Sequence, residues 1–458
     1  MEKAKEIKQT KGGFLKGAAW IALGGFVAKI IGALYRIPLT NLIGGHGLGL
    51  YQMVYPVYCL LLTVSATGIP ASIAKLTAER IGQGRSEKPV FRTAMKLFLL
   101  IGGTGSVLMV LIAPFLSAAQ GTKEIVGGYY ALAPSVFLVS AISVFRGWFQ
   151  GKNQMFPTAI SEITEQAVKV GFGLLFAYLY RGNVEKAVVF LLLSVSISEA
   201  VALLIDFLLY KRVPAPHEIK NDGGRVAMKT VLRLSIPVTL SSMLLPLSGL
   251  LDSVLVPRLL GAYASDPVAL YGLFAGGAVT VINLPVSICY GIAAASVPAV
   301  ATAATTAGQS VRKRIFFSLG ITVLIGGASA IGLYLFAAPA AKIIFRSLQG
   351  EELQTLIGLI RAFSVSALTL SCVQTLSACL TAQGKPQHAA LSMLIAVTVK
   401  TGTYAVLLQN AKTSVFGLAY ATNLCYLVAF LLDLLYNLIV SKRRSQPKIK
   451  AEQEGEKE

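Results

Sequence analysis

Apolar stretches of roughly 20 residues or more recur from one end of this sequence to the other, and the gaps between them are short. A stretch of that length lets an α-helix cross the hydrocarbon core of a bilayer. Of the 458 residues, 55% are hydrophobic and 14% are charged, which is more apolar surface than a soluble core can bury. The chain is therefore predicted to be an all-α integral membrane protein whose function lies inside the helix bundle.

The pattern predicts about twelve transmembrane helices. The predicted spans are residues 14–41, 49–76, 93–117, 124–146, 157–180, 187–210, 230–256, 268–303, 315–345, 354–381, 387–409 and 414–440.

Lysine and arginine residues lie mostly on one side of this arrangement. If the N-terminus is cytosolic, the cytosolic segments and their flanks hold about four times as many basic residues as the opposite side. The positive-inside rule produces this bias for an even number of spans with both ends in the cytosol. We therefore expect a multi-pass protein of the cytoplasmic membrane with both termini cytosolic.

The net charge of +20 does not indicate a nucleic-acid partner, because the basic residues lie in the loops between apolar spans. The five cysteines lie inside apolar stretches without the spacing of metal ligands, and the three histidines do not cluster with them. We expect no nucleic acid, no metal and no cofactor.

The longest internal polar segment, residues 212–229, divides the chain into two hydrophobic halves of nearly equal length. The predicted organisation is an N-terminal six-helix lobe at 1–211, this cytosolic linker, a C-terminal six-helix lobe at 230–441 and a charged cytosolic tail at 442–458.

Short motifs repeat in the same order in the two halves, which indicates a duplication. The run QGKNQ at 150–154 matches QGKPQ at 383–387, and ATGIPA at 66–71 matches AASVPA at 294–299. An even number of spans in each half makes the repeats parallel, related by an axis along the membrane normal. Transporters built in this way bind the substrate between the halves and rock them for alternating access.

Two cations in the first span are candidate ligands for an anionic substrate. Lys29 and Arg36 are seven residues apart, so both side chains leave the helix in nearly the same direction. A pair of stacked cations suits a polyanion. In the alternative interpretation Arg36 snorkels to the interface and Lys29 pairs with Asp252.

Further charges lie inside predicted spans. Glu165 and Lys169 have the i, i+4 spacing of an ion pair within one helix, so they have either a structural role or a role in binding. Asp252 and Arg258 belong to the seventh span, the equivalent of the first in the second half.

Two runs carry a resemblance to a known family. They are RGWFQGKNQMFPTAISEITEQAVK at 146–169 and KIIGALYRIPLTNLIGGHGLGLYQMVYP at 29–56. Both closely resemble the SpoVB and MurJ-like branch of the MATE-like flippase superfamily, also described as polysaccharide biosynthesis or stage V sporulation proteins. The resemblance covers essentially all spans and implies a V-shaped pair of six-helix lobes. It also implies that the chain flips polyprenyl-pyrophosphate sugars, lipid II in the MurJ case, toward the cell exterior.

The resemblance places the basic pair of the family's first span on Lys29 and Arg36. Where MurJ proteins carry arginines in the second and eighth spans, this chain has Gln52 and an uncharged span at 268–303. The substrate is therefore either lipid II or a related precursor of the cell wall or of a polysaccharide.

The predicted site combines these observations. The two cations of the first span neutralise the pyrophosphate, and the amides of Gln52 and Gln166 bond to sugar hydroxyls. The candidate substrate-binding residues are Lys29, Arg36, Gln52, Glu165, Gln166, Lys169, Asp252 and Arg258. The expected partners are the lipid-linked saccharide and membrane lipids, with a coupling ion, H⁺ or Na⁺, and proteins of cell-wall synthesis left open.

Three other functions are alternatives for a membrane protein of this kind. A cation-coupled MATE-type exporter of small molecules favours acidic and aromatic residues in its cavity. A membrane glycosyltransferase generally presents a catalytic carboxylate in a substantial loop, and the outer loops here are short and lack an acidic cluster, so we expect no enzyme. The sequence leaves open a scaffold for spore or cell-envelope assembly.

Overall fold

The regular elements of the protein are helices. A computed structural model describes residues 2–64, 69–213, 228–305 and 310–455. The helices are α1 (Glu2–Leu62), α2 (Ile69–Gly82), α3 (Lys88–Gln120), α4 (Val126–Gly151), α5 (Phe156–Leu179), α6 (Val184–Arg212), α7 (Met228–Ser242), α8 (Leu244–Leu260), α9 (Pro267–Gly272), α10 (Val279–Thr305), α11 (Val311–Leu335), α12 (Ala337–Ile344), α13 (Gly350–Phe363), α14 (Val365–Ala382), α15 (Pro386–Leu407) and α16 (Phe416–Gly455). A π-helical turn, Leu273–Ala278, joins α9 to α10.

Helix α1 consists of two arms that meet at Gly44. This residue has φ 67° and ψ −172°, a backbone conformation that side chains with a Cβ rarely adopt. The first arm contains the predicted span 14–41, and the second begins the predicted span 49–76. Residues 69–76 of that second span belong to α2, and residues 65–68 lie outside the described residues. Pro70 lies in the first turn of α2, where its missing N–H removes no helical hydrogen bond.

Eight helices of the described part are long and apolar enough to cross a membrane. They are Lys88–Gln120, Val126–Gly151, Val184–Arg212, Pro267–Ala293, Val311–Leu335, Val365–Ala382, Pro386–Leu407 and Phe416–Ser441. Other predicted spans are broken into shorter helices, as at α7 and α8, or carry several charges, as in α5. The predicted all-α, multi-pass membrane fold is confirmed.

The chain forms two compact units, Met1–Val254 and Leu255–Glu458, and the division falls within α8. Helix α7 packs against α2 and α3 and so belongs to the N-terminal unit. Of the predicted linker 212–229, residues 214–227 lie outside the described residues. The lobe boundaries derived from the sequence stay a prediction.

In the N-terminal unit, aromatic side chains of α3, α4 and α6 pack at one end of the bundle. The rings of Phe91 and Tyr210 stack with centroids 4.8 Å apart, and Trp148 meets Tyr210 edge-on at the same distance. Lys152 lies 4.5 Å above the Trp148 ring and forms a 3.2 Å ion pair with Glu87. These contacts join the α2–α3 and α4–α5 connections.

Helix α4 approaches α2 closely because Gly147 has no side chain. A Cβ on Gly147 would lie 2.8 Å from the Cα of Pro70 and 2.9 Å from the Cβ of Ile73. Both distances are shorter than van der Waals contact, and the Pro70 atom belongs to the backbone, which cannot rotate away.

We expect Gly147→Ala to destabilise the protein by about 1–3 kcal/mol, the usual effect of overpacking a tight contact. The measurement is the thermal unfolding midpoint in detergent. Gly171→Ala is the matched control, because a Cβ there meets nothing within 4 Å and alanine favours the helix. Equal midpoints for the two variants would contradict the close packing of α2 on α4.

Candidate functional site

The contact between α1 and α5 brings two cations and an amide together inside the N-terminal unit. A Cβ on Gly32 would lie 3.6 Å from Oε1 of Gln166, so the two helices face each other there. Arg36 follows Gly32 by one turn on α1, and Lys169 follows Gln166 by one turn on α5. The charge of Lys169 interacts with those of Glu165 and Glu199 and, less strongly, with that of Arg36. Gln166 and Lys169 thus lie on the part of α5 that packs against α1.

Three tyrosines on the second arm of α1 extend this site. The rings of Tyr51 and Tyr55 stack at 5.2 Å, and Tyr55 and Tyr58 are 5.7 Å apart. The charge of Arg36 also acts on the phenols of Tyr51 and Tyr55. Gln52 is 7% exposed and lies beside Tyr51 in the chain. The phenols of Tyr51 and Tyr55 therefore lie within electrostatic reach of Arg36.

Behind the cations, Arg146 of α4 is the centre of a buried polar network. Its Nη2 donates to Oε2 of Glu165 at 2.9 Å and to the hydroxyl of Ser161 at 3.0 Å. Its Nε lies 3.8 Å from Oδ2 of Asp206, to which Ser161 donates at 3.0 Å. Charges withdrawn from water need such partners, so this network holds α4, α5 and α6 together.

The network continues to both sides through two further carboxylates and an amide. Nε2 of Gln166 donates to Oε1 of Glu165 at 3.2 Å, which joins the network to the cationic contact. The hydroxyl of Tyr58 donates to Oε1 of Glu199 at 3.2 Å. Glu162 interacts electrostatically with Arg146. Four carboxylates and three cations therefore share this part of the unit among the described side chains.

The ion pair expected within α5 is not formed. Glu165 binds Arg146 of the neighbouring helix, and no ion pair within 4.0 Å joins it to Lys169 in the described part of the chain. The bidentate geometry available to an arginine makes it the stronger partner for a carboxylate, and burial between helices favours the same choice.

Of the other predicted residues, the Lys29 side chain lies outside the description, and Asp252 and Arg258 lie on α8. The side chain of Lys29 lies outside the described part of the structure, so its pairing with Asp252 stays a prediction. Asp252 lies on α8 in the N-terminal unit and is partly buried. Arg258 lies in the C-terminal unit and is exposed. The structure brings together Arg36, Gln166, Lys169 and Glu165.

Sequence reasoning missed Arg146 because it closes a predicted span and was counted with the basic flanks. One signal was available. Ser161 and Glu165 are one turn apart on α5, and Glu199 and Asp206 are two turns apart on α6, so each pair shares a helix face. Two neighbouring helices that both carry carboxylates inside a membrane require a cation between them.

Comparison with known proteins agrees with the fold. A solved multidrug resistance MATE family transporter in an inward-facing conformation superposes with a TM-score of 0.76 at 16% identity, covering 92% of this chain and 96% of that one. The lipid II flippase MurJ in an inward closed conformation gives a TM-score of 0.71 at 14% identity, covering 93% and 90%. The all-α membrane fold is therefore shared with both.

Sequence relatives extend over most of the chain. Stage V sporulation protein B of Bacillus subtilis is 29% identical over 431 residues, covering 90% of this chain and 81% of the relative. Lipid II flippase MurJ of the same organism is 22% identical, covering 94% and 83%. The family model described as polysaccharide biosynthesis protein matches residues 14–304. This match covers more than half of the sequence, and the chain belongs to the polysaccharide biosynthesis protein family.

Proposed function

We propose that this protein moves a polyprenyl-pyrophosphate-linked saccharide, lipid II or a related cell-wall or polysaccharide precursor, across the cytoplasmic membrane by alternating access. The observation that carries the proposal is that two cations whose charges interact, Arg36 of α1 and Lys169 of α5, lie on helices that pack against each other inside the N-terminal unit. The names of two relatives, a stage V sporulation protein and a lipid II flippase, support the same class of function.

The charge of the pair favours an anionic ligand. A lysine or arginine near the centre of the bilayer costs about 2.5–3.5 kcal/mol on insertion scales. Glu165 and Glu199 offset part of this cost for Lys169. A pyrophosphate would add negative charge and acceptor oxygens for both side chains. Arg36 supplies a planar fork of donors and Lys169 a compact ammonium.

The groups around the cations suit a saccharide. Tyr51 and Tyr55 present aromatic faces, against which the C–H face of a sugar ring packs. The amides of Gln52 and Gln166 offer both donors and acceptors to hydroxyl groups. The polyprenyl tail stays in the bilayer, where its burial requires no protein contact.

The proposal places both termini in the cytosol and loads the substrate from that side. Release on the other side requires only modest affinity, so contacts that form in one conformation and break in the other suffice. The reaction moves a lipid and forms no covalent bond, and the protein is a transporter and not an enzyme. Proteins of cell-wall synthesis are the expected neighbours that supply or use the lipid.

A coupling ion, H⁺ or Na⁺, is a further element of the proposal. The N-terminal unit contains Glu162, Glu165, Glu199 and Asp206. Carboxylates in excess of their cationic neighbours take up a monocation at low energetic cost. A membrane potential of 100 mV supplies about 2.3 kcal/mol for each charge that moves across the membrane.

The same carboxylates, together with the three tyrosines, favour a second candidate, a cation-coupled exporter of small molecules. Acidic and aromatic side chains are what a cationic drug requires. The fold shared with a multidrug resistance transporter is compatible with this alternative.

Complementation distinguishes the two functions. A bacterial strain depleted of its lipid II flippase receives the native chain, and a second strain lacking drug exporters receives the same gene. We expect growth of the first strain and no added drug resistance in the second. Drug resistance without rescue by a well-expressed chain would favour the exporter.

We expect Arg36→Ala and Lys169→Ala each to weaken binding of the pyrophosphate lipid about 10- to 100-fold, because one charge-assisted contact is worth about 1.5–3 kcal/mol. The measurement is lipid binding by native mass spectrometry at matched expression. Lys75→Ala is the control, since that side chain is 58% exposed on α2. Binding equal to that of the control variant would remove the two cations from the site.

We expect Arg146→Ala to destabilise the protein by about 3–5 kcal/mol, because it leaves two buried carboxylates without a cation. The thermal unfolding midpoint measures this loss. Adding Glu165→Gln and Asp206→Asn to the same variant removes the orphaned charges and should recover most of the midpoint. Failure of the triple variant to recover any stability would contradict the account of the network.

A further inference from the structure

A second buried carboxylate network lies in the C-terminal unit, centred on Asp433. This residue of α16 is 1% exposed. The hydroxyl of Ser377 on α14 donates to its Oδ2 at 2.5 Å, while its Oδ1 is buried and has no hydrogen-bond partner. Ser392 on α15 lies within hydrogen-bonding reach of the carboxyl, but its own proton is directed to the carbonyl oxygen of His388 at 3.0 Å.

Among the described side chains, no cation forms an ion pair with this carboxylate within 4.0 Å. The described titratable and charged groups on the helices around it are Cys372 and Cys379 of α14, His388, Lys400 and Tyr404 of α15, Tyr420, Cys425, Tyr426 and Tyr436 of α16, Glu351, Glu352 and Arg361 of α13, and Arg312, Lys313, Arg314 and Tyr334 of α11.

None of the described cations in this set forms an ion pair with Asp433, and Nδ1 of His388 is itself buried without a hydrogen-bond partner among the described residues. The His388 ring packs edge-on against Tyr436 at 4.8 Å. Lys400 follows Ser392 by about 12 Å along α15, given the helical rise. Arg361 on α13 is next to Ala362, whose carbonyl oxygen accepts a hydrogen bond from Asn423 of α16. Asn423 lies about 15 Å from Asp433 along α16, given the helical rise, so Arg361 is distant from the carboxylate. The three basic residues of α11 are exposed.

The N-terminal unit contains the same arrangement with one difference. There, Asp206 of α6 accepts from Ser161 of α5 and faces Arg146 of α4. The two networks are also spaced alike in the sequence. The separation between Arg146 and Ser377 equals that between Ser161 and Ser392. The separation between Asp206 and Asp433 is nearly the same. The two networks therefore lie at similar places in the two halves, although the match of QGKNQ to QGKPQ places Cys379, two residues after Ser377, opposite Arg146. In the second network, serines lie near the aspartate and no arginine forms an ion pair with it among the described side chains.

From this difference we propose that Asp433 is a binding site for a single monovalent cation, and that a proton occupies it. The proton forms an O–H bond at the unpartnered Oδ1, and no other bond breaks. The resulting hydroxyl has an acceptor within reach, because Ser392 has already donated its own hydrogen to His388. An uncompensated charge in this position would cost several kcal/mol, and the neutral acid avoids that cost.

Occupancy of the site does not depend on the transported substrate. The use of this proton to drive transport rests on the proposed function. Protonation of Asp433 is measured without transport, so a failure of the proton assignment is distinguishable from a failure of the proposed function.

The test is infrared spectroscopy of the purified full-length chain in lipid nanodiscs at a series of pH values from about 5 to 8, which detects the C=O stretch of a protonated carboxyl and its shift in D₂O. We expect Asp433→Asn to remove part of this band, and we expect Ser377→Ala to keep it at a shifted frequency, because the carboxyl loses a donor. Asp206→Asn is the matched control and should leave the Asp433 contribution in place. An unchanged band in a folded Asp433→Asn variant would overturn the proposal.

Sodium is the competing occupant, and thermal unfolding distinguishes it. The native chain and Asp433→Asn are compared in NaCl and in choline chloride at the same ionic strength. We expect the same midpoint in both salts for both proteins. A sodium-dependent increase that is present in the native chain and absent in Asp433→Asn would assign the site to Na⁺ and overturn its assignment to a proton.

Discussion

The structure depends on compensating charges that lie inside a bilayer. An ionised side chain in hydrocarbon requires a partner of opposite charge, hydrogen bonds or water, and otherwise destabilises the fold. Arg146 meets this requirement for Glu165 and Asp206, and so fixes the packing of three helices of the N-terminal unit. The other polar features of the site depend on which buried charges have a partner of opposite charge.

Arg36 and Lys169 lie on helices next to carboxylates that are bound to Arg146 or to Tyr58. The proposed function requires an anion to replace part of the present interactions of these two cations.

The fold class was predictable because bilayer thickness imposes a length on every span, and hydropathy records it. Gln166 and Lys169 were predicted as candidate site residues for a related reason, since polar groups in spans are rare, and this assignment stays a prediction. The partner of Glu165 was not predictable: the i, i+4 rule describes one helix, whereas the choice of Arg146 depends on which helices touch. The position of the break in α1 was not predictable either. Several glycines lie close to Gly44, and each of them could adopt the positive φ that ends the first arm. The similar placement of Asp206 and Asp433 required contacts from both units, because sequence matches between the halves are short.

The most direct test of the account is transport in proteoliposomes that contain only this protein and a fluorescent polyprenyl-linked saccharide. The assay compares a pyrophosphate lipid with its monophosphate counterpart, for the native chain and for a variant carrying both Arg36→Ala and Lys169→Ala. The account predicts that the native chain moves the pyrophosphate lipid faster than the monophosphate lipid, and that the double variant moves neither. Equal rates for the native chain and the double variant would contradict it.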